Sequence, residues 1–147
     1  MREITHIVVH CSGGSQDATI EGIQAYWKKK GWKRPGYHFI IDKDGKETQL
    51  QSVALISNGV KGHNLNIVNV CYIGGVDKQL KPIDNRTDAQ KTKLITVLKA
   101  LRVKFPAAKI VGHRDFSPDL DHDGVIEKHE WIKYCPCFDA KSEYANI

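Results

Sequence analysis

No stretch of this sequence approaches the roughly 18 consecutive apolar residues that a membrane-spanning helix needs, so insertion into a bilayer is not expected. The opening, Met1-Arg2-Glu3-Ile4, lacks the apolar core of a secretory leader and runs straight into a strand pattern. Synthesis in the cytoplasm without a signal peptide is expected. Proline is scarce, 5 in 147 residues, and no repeat, low-complexity tract or linker divides the chain. One domain over residues 1–147 is expected, large enough to bury a core without staples. Cysteine is limited to positions 11, 71, 135 and 137, with no C-x-x-C pair. Cys135 and Cys137 flank a single proline, too close for an ordinary mutual bridge. Thiols or metal ligands are expected in preference to disulfides. Cys71, inside Val70-Cys71-Tyr72-Ile73, reads as a small buried hydrophobe.

What is present is ordinary globular material, 41% hydrophobic and 27% charged, which excludes disordered and collagen-like classes. Lys and Arg outnumber Asp and Glu by 22 to 17, a formal net charge of +5. The excess is uneven. Asp119 to Glu130 concentrates five acids and one lysine, leaving a more strongly basic body that suits an anionic polymer, either nucleic acid or bacterial wall.

The chain reads as an α/β protein with a single mixed sheet and helices packed on it. Ile4 to Val9 is a buried strand ending at His10. A helix capped by Asp17 or Thr19 carries Ile20, Ile23 and Trp27 on one face and closes at Gly31. Tyr37 to Asp42 and Glu47 to Gln51 flank the hairpin turn Lys43-Asp44-Gly45-Lys46, and Asn69 to Gly74 is a further strand. Thr87-x-x-Gln90 is a capping box opening a helix striped by Leu94, Val97, Leu98 and Leu101, which stops before Pro106. Lys109 to Gly112 is a last strand delivering His113, and a short helix is expected near Lys128 to Lys133.

His10 and His113 thus stand at the carboxyl ends of two strands, where sites are commonly built. With Cys135 they would make a tetrahedral zinc site with one position left for water. Spacing alone leaves open that the histidines are unrelated and the cysteine merely buried.

Five blocks in order are more specific. They are Ile7-Val8-Val9-His10-Cys11-Ser12, Arg34-Pro35-Gly36-Tyr37-His38-Phe39, Cys71-Tyr72-Ile73-Gly74-Gly75, Gly112-His113-Arg114-Asp115 and Cys135-Pro136-Cys137-Phe138-Asp139. From about residue 4 to 139 the chain resembles the zinc-dependent N-acetylmuramoyl-L-alanine amidases of type 2, a family that includes phage endolysins and shares its fold with peptidoglycan recognition proteins. The resemblance implies His10, His113 and Cys135 as zinc ligands and Tyr37 and Lys133 as catalytic groups. It implies hydrolysis of the amide between N-acetylmuramic acid and L-alanine in bacterial peptidoglycan, by an endolysin that acts on the wall after release. A monomer is expected. Two other readings in the family's range are a non-catalytic peptidoglycan-binding module and a phage regulator that binds a polymerase. The former typically lacks the ligand cysteine kept here, and no Arg-rich recognition helix or stacking motif supports nucleic-acid binding.

Several residues sit beside this pattern. Strand alternation would turn His38 away from Tyr37, into a packing or supporting role. His6 shares the His10 face and reads as an ordinary strand histidine, and Cys137 as spare. The chain departs from the pattern in two places. Many relatives have a histidine before a glycine in the segment here reading Asn58-Gly59-Val60-Lys61-Gly62, and Asn69 replaces a common glycine. These changes are expected to affect stem-peptide and glycan contacts more than the metal site.

The acidic island satisfies the twelve-residue calcium-loop pattern, with Asp119, Asp121, Asp123, Glu127 and Glu130 at positions 1, 3, 5, 9 and 12 and Gly124 at 6. Asp119, Asp121, Asp123, the Val125 carbonyl and Glu130 are the expected ligands of a structural Ca²⁺. Phe116-Ser117-Pro118 reads as extended, so a lone clip is expected, without the incoming helix of a sensor pair.

Overall fold

The computed structural model describes residues 2–147. Five strands, β1 (His6–Cys11), β2 (Phe39–Ile41), β3 (Glu47–Gln49), β4 (Ile67–Tyr72) and β5 (Lys109–Gly112), form one sheet in the order β3-β2-β4-β1-β5. β1 pairs parallel with β4 and β5, β2 pairs parallel with β4, and the β2–β3 hairpin supplies the antiparallel edge. The mixed sheet is the expected one, with strand ends shifted by at most two residues.

The two long helices follow local signals. α1 (Ile20–Lys29) is capped by Thr19, whose hydroxyl accepts the Gly22 amide. α2 (Asp88–Lys104) opens on the Thr87/Gln90 capping box and buries Leu94, Val97, Leu98 and Leu101. Burial of each such side chain stabilises the fold by about 1.5–3 kcal/mol.

Alternation along the strands sorts the interior into two sides. Ile7, Val9 and Cys11 of β1, with Val68, Val70 and Tyr72 of β4, pack in one cluster with the α2 stripe. The opposite face carries Val8 with Ile67 and Val111, and Ile40 and Cys71 under Ile20 and Ile23 of α1. His10 and Asn69 share the parity of Val8, so they fall on the face away from α2. The candidate histidine His10 lies there, with His38 and Asn69.

The C-terminal segment is fastened across the other side. Arg86, buried, bonds Asp84 and Glu143, and its guanidinium lies 3.4 Å from the Phe138 ring centroid. α3 (Ala140–Glu143) follows. The helix expected near Lys128 to Lys133 is only a 3₁₀ turn, Lys128–Glu130. Beyond it Trp131 is extended and stacks under Arg114, whose guanidinium sits 3.8 Å from the ring centroid. Among the described residues no helix is long and apolar enough to cross a membrane.

Candidate metal centre and active site

Val9 of β1 lies beside Gly112 of β5 in parallel register, so the residues that follow, His10 near the end of β1 and His113 just past β5, come side by side at the carboxyl ends of neighbouring strands. Their ring centroids are 4.9 Å apart. Cys135 arrives from 125 positions downstream and places its Sγ 3.8 Å from His10 Nδ1. One ligand atom from each of His10, His113 and Cys135 lies within 4.8 Å of the others.

The Cys135 segment is held from three sides. The Arg114 amide donates to the Cys135 carbonyl at 2.8 Å, the Cys11 amide donates to Cys135 Sγ at 3.2 Å, and the Tyr72 hydroxyl donates to the Pro136 carbonyl at 2.6 Å. Gly112 permits the close approach, since a Cβ there would meet Pro136 Cδ at 2.6 Å.

Electrostatics keep both imidazoles neutral. Burial, reinforced by the neighbouring His113, pulls the His10 pKa from 6.5 to about 3, while the hydrogen bond to Asn69 works in the opposite direction. Burial, and then the Lys133 ammonium, bring His113 to about 4. Each ring therefore keeps a nitrogen lone pair at neutral pH. Two imidazole nitrogens and one sulfur are a donor set suited to Zn²⁺.

Tyr37 stands over this cluster, its ring 5.1 Å from that of His10 and 5.6 Å from Trp27. Its hydroxyl donates weakly to the Cys11 carbonyl at 3.5 Å. Burial, with the nearby cysteines, raises its pKa well above 10, so it keeps its proton. Lys133 is exposed and lines both of the clefts that meet here. One, of about 700 Å³, contains His10, Tyr37, His113 and Cys135. The other runs past Lys30, Trp32, Lys61 and His63.

Other sequence candidates fall outside the cluster. Cys137 turns to the Gly75 carbonyl at 3.3 Å and lies 3.8 Å from Cys11 Sγ. His6 packs edge-on to Phe116. β2 begins only at Phe39, so strand alternation does not govern Tyr37 and His38. His38 instead meets Ser57 and the Asn69 amide on the His10 side of the sheet.

Asn69 is the residue that sequence reasoning misplaced. It touches neither cleft, and its Oδ1 is 2.7 Å from His10 Nε2. The available signal was an amide inside the apolar run Ile67-Val68-Asn69-Val70-Cys71, because a polar side chain buried in a central strand must find a partner.

In the acidic loop, Asp119, Asp121 and Asp123 bring carboxylate oxygens within 4.8 Å of one another. Gly124 takes φ +85° and donates its amide to Asp119 Oδ2 at 2.8 Å, while the Val125 amide bonds Asp123. Asp119 Oδ1 is shielded and has no hydrogen-bond partner. Glu130 is buried, accepts the Leu120 and Glu127 amides, and groups with Asp121 and His129.

Comparison with known proteins agrees with this geometry. The family model described as N-acetylmuramoyl-L-alanine amidase matches residues 1–136. The endolysin of Klebsiella phage KP32 is 34% identical over 142 residues, 95% of this chain and 85% of that protein. Among solved structures, the N-acetylmuramoyl-L-alanine amidase LysC of Clostridium intestinale superposes with a TM-score of 0.74 at 22% identity, covering 97% of this chain and 83% of that one. Bumblebee PGRP-SA also gives 0.74, at 15% identity, over 99% and 83%. With the family model spanning nearly the whole chain, cluster included, this protein belongs to the N-acetylmuramoyl-L-alanine amidase family.

Proposed function

We propose that this chain is a zinc-dependent endolysin, hydrolysing the amide between N-acetylmuramic acid and L-alanine in bacterial peptidoglycan once released to the wall. The observation that carries the reading is the convergence of His10, His113 and Cys135 at one sheet edge. Zinc held by these three would supply a polarised carbonyl and a bound water whose pKa is near 7.

The chain's own groups have separable tasks. Neutral His10 and His113 and the Cys135 sulfur form the ligand set. Tyr37, protonated at working pH, donates toward the oxygen that becomes negative as water adds to the amide. Lys133 brings an ammonium to the same place from the rim, and together they favour the tetrahedral intermediate over the planar amide. Lys30, Lys61 and Lys133 make the clefts attractive to the carboxylates of stem peptides. The enzyme is read as a monomer, which light scattering would check.

The test is digestion of purified peptidoglycan followed by mass spectrometry. New L-alanine amino termini and muramic acid with free lactyl carboxyls are expected. Wall binding without those products would identify a non-catalytic binding module instead.

The acidic loop is read as a structural calcium clip through Asp119, Asp121, Asp123, the Val125 carbonyl and Glu130. Support comes from the glycine turn at position 6, from the unpartnered Asp119 Oδ1 and from the grouping of Asp119 with Asp121 and Asp123.

A further inference from the structure

Behind His10 runs a chain of polar side chains where a sheet interior is ordinarily apolar. His10 is 1% exposed, and Asn69, Ser57 and His38 are completely buried. The hydrogen-bond directions in this run follow from two backbone groups at His38, an amide that can only donate and a carbonyl that can only accept.

The amide is that of Asn69, which points at His38 Nδ1 from 3.0 Å. Nδ1 must therefore accept, and the proton of the neutral ring sits on Nε2, which donates to the Leu55 carbonyl at 2.8 Å, a nearer neighbour than the Arg2 guanidinium, whose Nη2 stands 3.3 Å away. Ser57 Oγ lies 3.0 Å from the same Nδ1, so its hydroxyl can only donate there. Its lone pairs are left for Asn69 Nδ2, at 2.8 Å. With Nδ2 turned to Ser57, Asn69 presents Oδ1 to His10 Nε2 at 2.7 Å. An acceptor at that point places the His10 proton on Nε2. Nδ1, the nitrogen on the Cys135 side, keeps its lone pair.

We propose that Asn69 is a positioning residue for the metal centre, fixing the Nε2–H tautomer and ring orientation of His10 so that Nδ1 is presented to zinc. Ser57 and His38 are the anchored end that prevents the amide from flipping. The inference rests on the zinc reading above. The site is built for this amide. Asn69 and His10 share one sheet face on paired strands, and the room for the carboxamide exists because residue 59 is glycine. An alanine at 69 would leave the buried Nε2–H without an acceptor and both tautomers of His10 open. An aspartate would keep the acceptor oxygen.

The experiment compares wild type, Asn69→Ala, Asn69→Asp and Ser57→Ala. Zinc affinity is measured by competition with a chromophoric chelator, and the protonated nitrogen of His10 by long-range ¹H–¹⁵N spectra of the zinc-loaded protein. Loss of the partner of a metal-bound histidine typically weakens metal affinity by about 10–100-fold, and that is expected for Asn69→Ala. A smaller loss is expected for Ser57→Ala, and recovery toward wild type for Asn69→Asp. The wild-type spectrum should show Nε2 protonated and Nδ1 on the metal. Unchanged zinc affinity in Asn69→Ala, even with a lowered melting temperature, would reduce the residue to packing and overturn the proposal. So would a wild-type His10 that is protonated at Nδ1, a result that decides the matter even where Asn69→Ala does not fold. Wild type that binds no zinc at all would remove the zinc reading itself, and this one with it.

Discussion

A Cβ on Gly59 would stand 2.3 Å from both Cγ and Oδ1 of Asn69. The absence of a side chain at 59 and the presence of an amide at 69 are thus one feature, divided between a loop and a central strand. Gly59 has no left-handed backbone to protect, so the cost of a methyl there is steric alone.

Gly59→Ala should therefore destabilise the protein by about 1–3 kcal/mol, the usual cost of overpacking a filled interior. The same change made on an Asn69→Gly background should cost much less, since the obstacle is gone. Denaturant unfolding of the four proteins of the cycle measures the coupling, and additive effects would show that the two positions are independent.

Cys135→Ser should lose zinc, while Cys137→Ser should keep it, because only Cys135 groups with both histidines. Metal analysis after dialysis against a weak chelator distinguishes them. Retention of full zinc by Cys135→Ser together with loss in Cys137→Ser would exchange their roles.

Tyr37→Phe and Lys133→Ala should bind zinc as wild type does and lose turnover, each by about 10²–10³-fold, the usual effect of removing one donor to an oxyanion. Steady-state hydrolysis of a soluble muramyl peptide with parallel zinc analysis checks this. Unchanged kcat in both would return Tyr37 to packing against His10 and Trp27, and Lys133 to the solvated rim.

Much of the framework was legible because its signals are local. The Thr87-x-x-Gln90 box and the leucine stripe of α2 depend on a few neighbouring residues, and so does the turn at Asp44-Gly45. The candidate metal cluster is non-local. His10 and Cys135 lie 125 positions apart, and only the parallel register that sets Val9 beside Gly112 aligns the two histidines. Ordered motif blocks pointed to it where spacing could not. Asn69 was misread for the same reason. Its departure from the family pattern was visible, but its partner is fixed by a strand pairing, so a change expected at the substrate surface lies behind His10. The helix expected near Lys128 to Lys133 fails because the chain must extend after Glu130 to lay Trp131 against Arg114.

His38 gives the protein a pH dependence with a definite sign. Burial lowers its pKa from 6.5 to about 4, partly countered by the bond to Leu55. The unfolded chain therefore binds the proton first as pH falls. Stability on this account is full above about pH 6.5 and is lost progressively down to about pH 4, by on the order of 3 kcal/mol. Unfolding free energies of zinc-loaded wild type and His38→Gln should converge across that window. Parallel pH profiles would mean that His38 titrates normally in the fold.

The acidic loop supplies the last prediction. It lies in the chain between His113 and Cys135, so on the zinc reading proposed above its order would set where Lys133 and Cys135 re-enter the cluster. Mutual repulsion already shows in its carboxyls, since Glu127 is raised through its hydrogen bond to Asp123 and by the charge of that neighbour. A divalent cation among Asp119, Asp121 and Asp123 would relieve this and supply the partner that Asp119 Oδ1 lacks. Calcium should then raise the melting temperature of the zinc-loaded enzyme in a concentration-dependent way, by mass action. Asp121→Ala with Glu130→Ala should abolish that response. Activity lost to a calcium-selective chelator should return on adding calcium, with zinc content constant throughout. Calorimetry showing no binding, and a melting temperature unmoved at millimolar calcium, would leave the loop as an acidic turn held by its own amides.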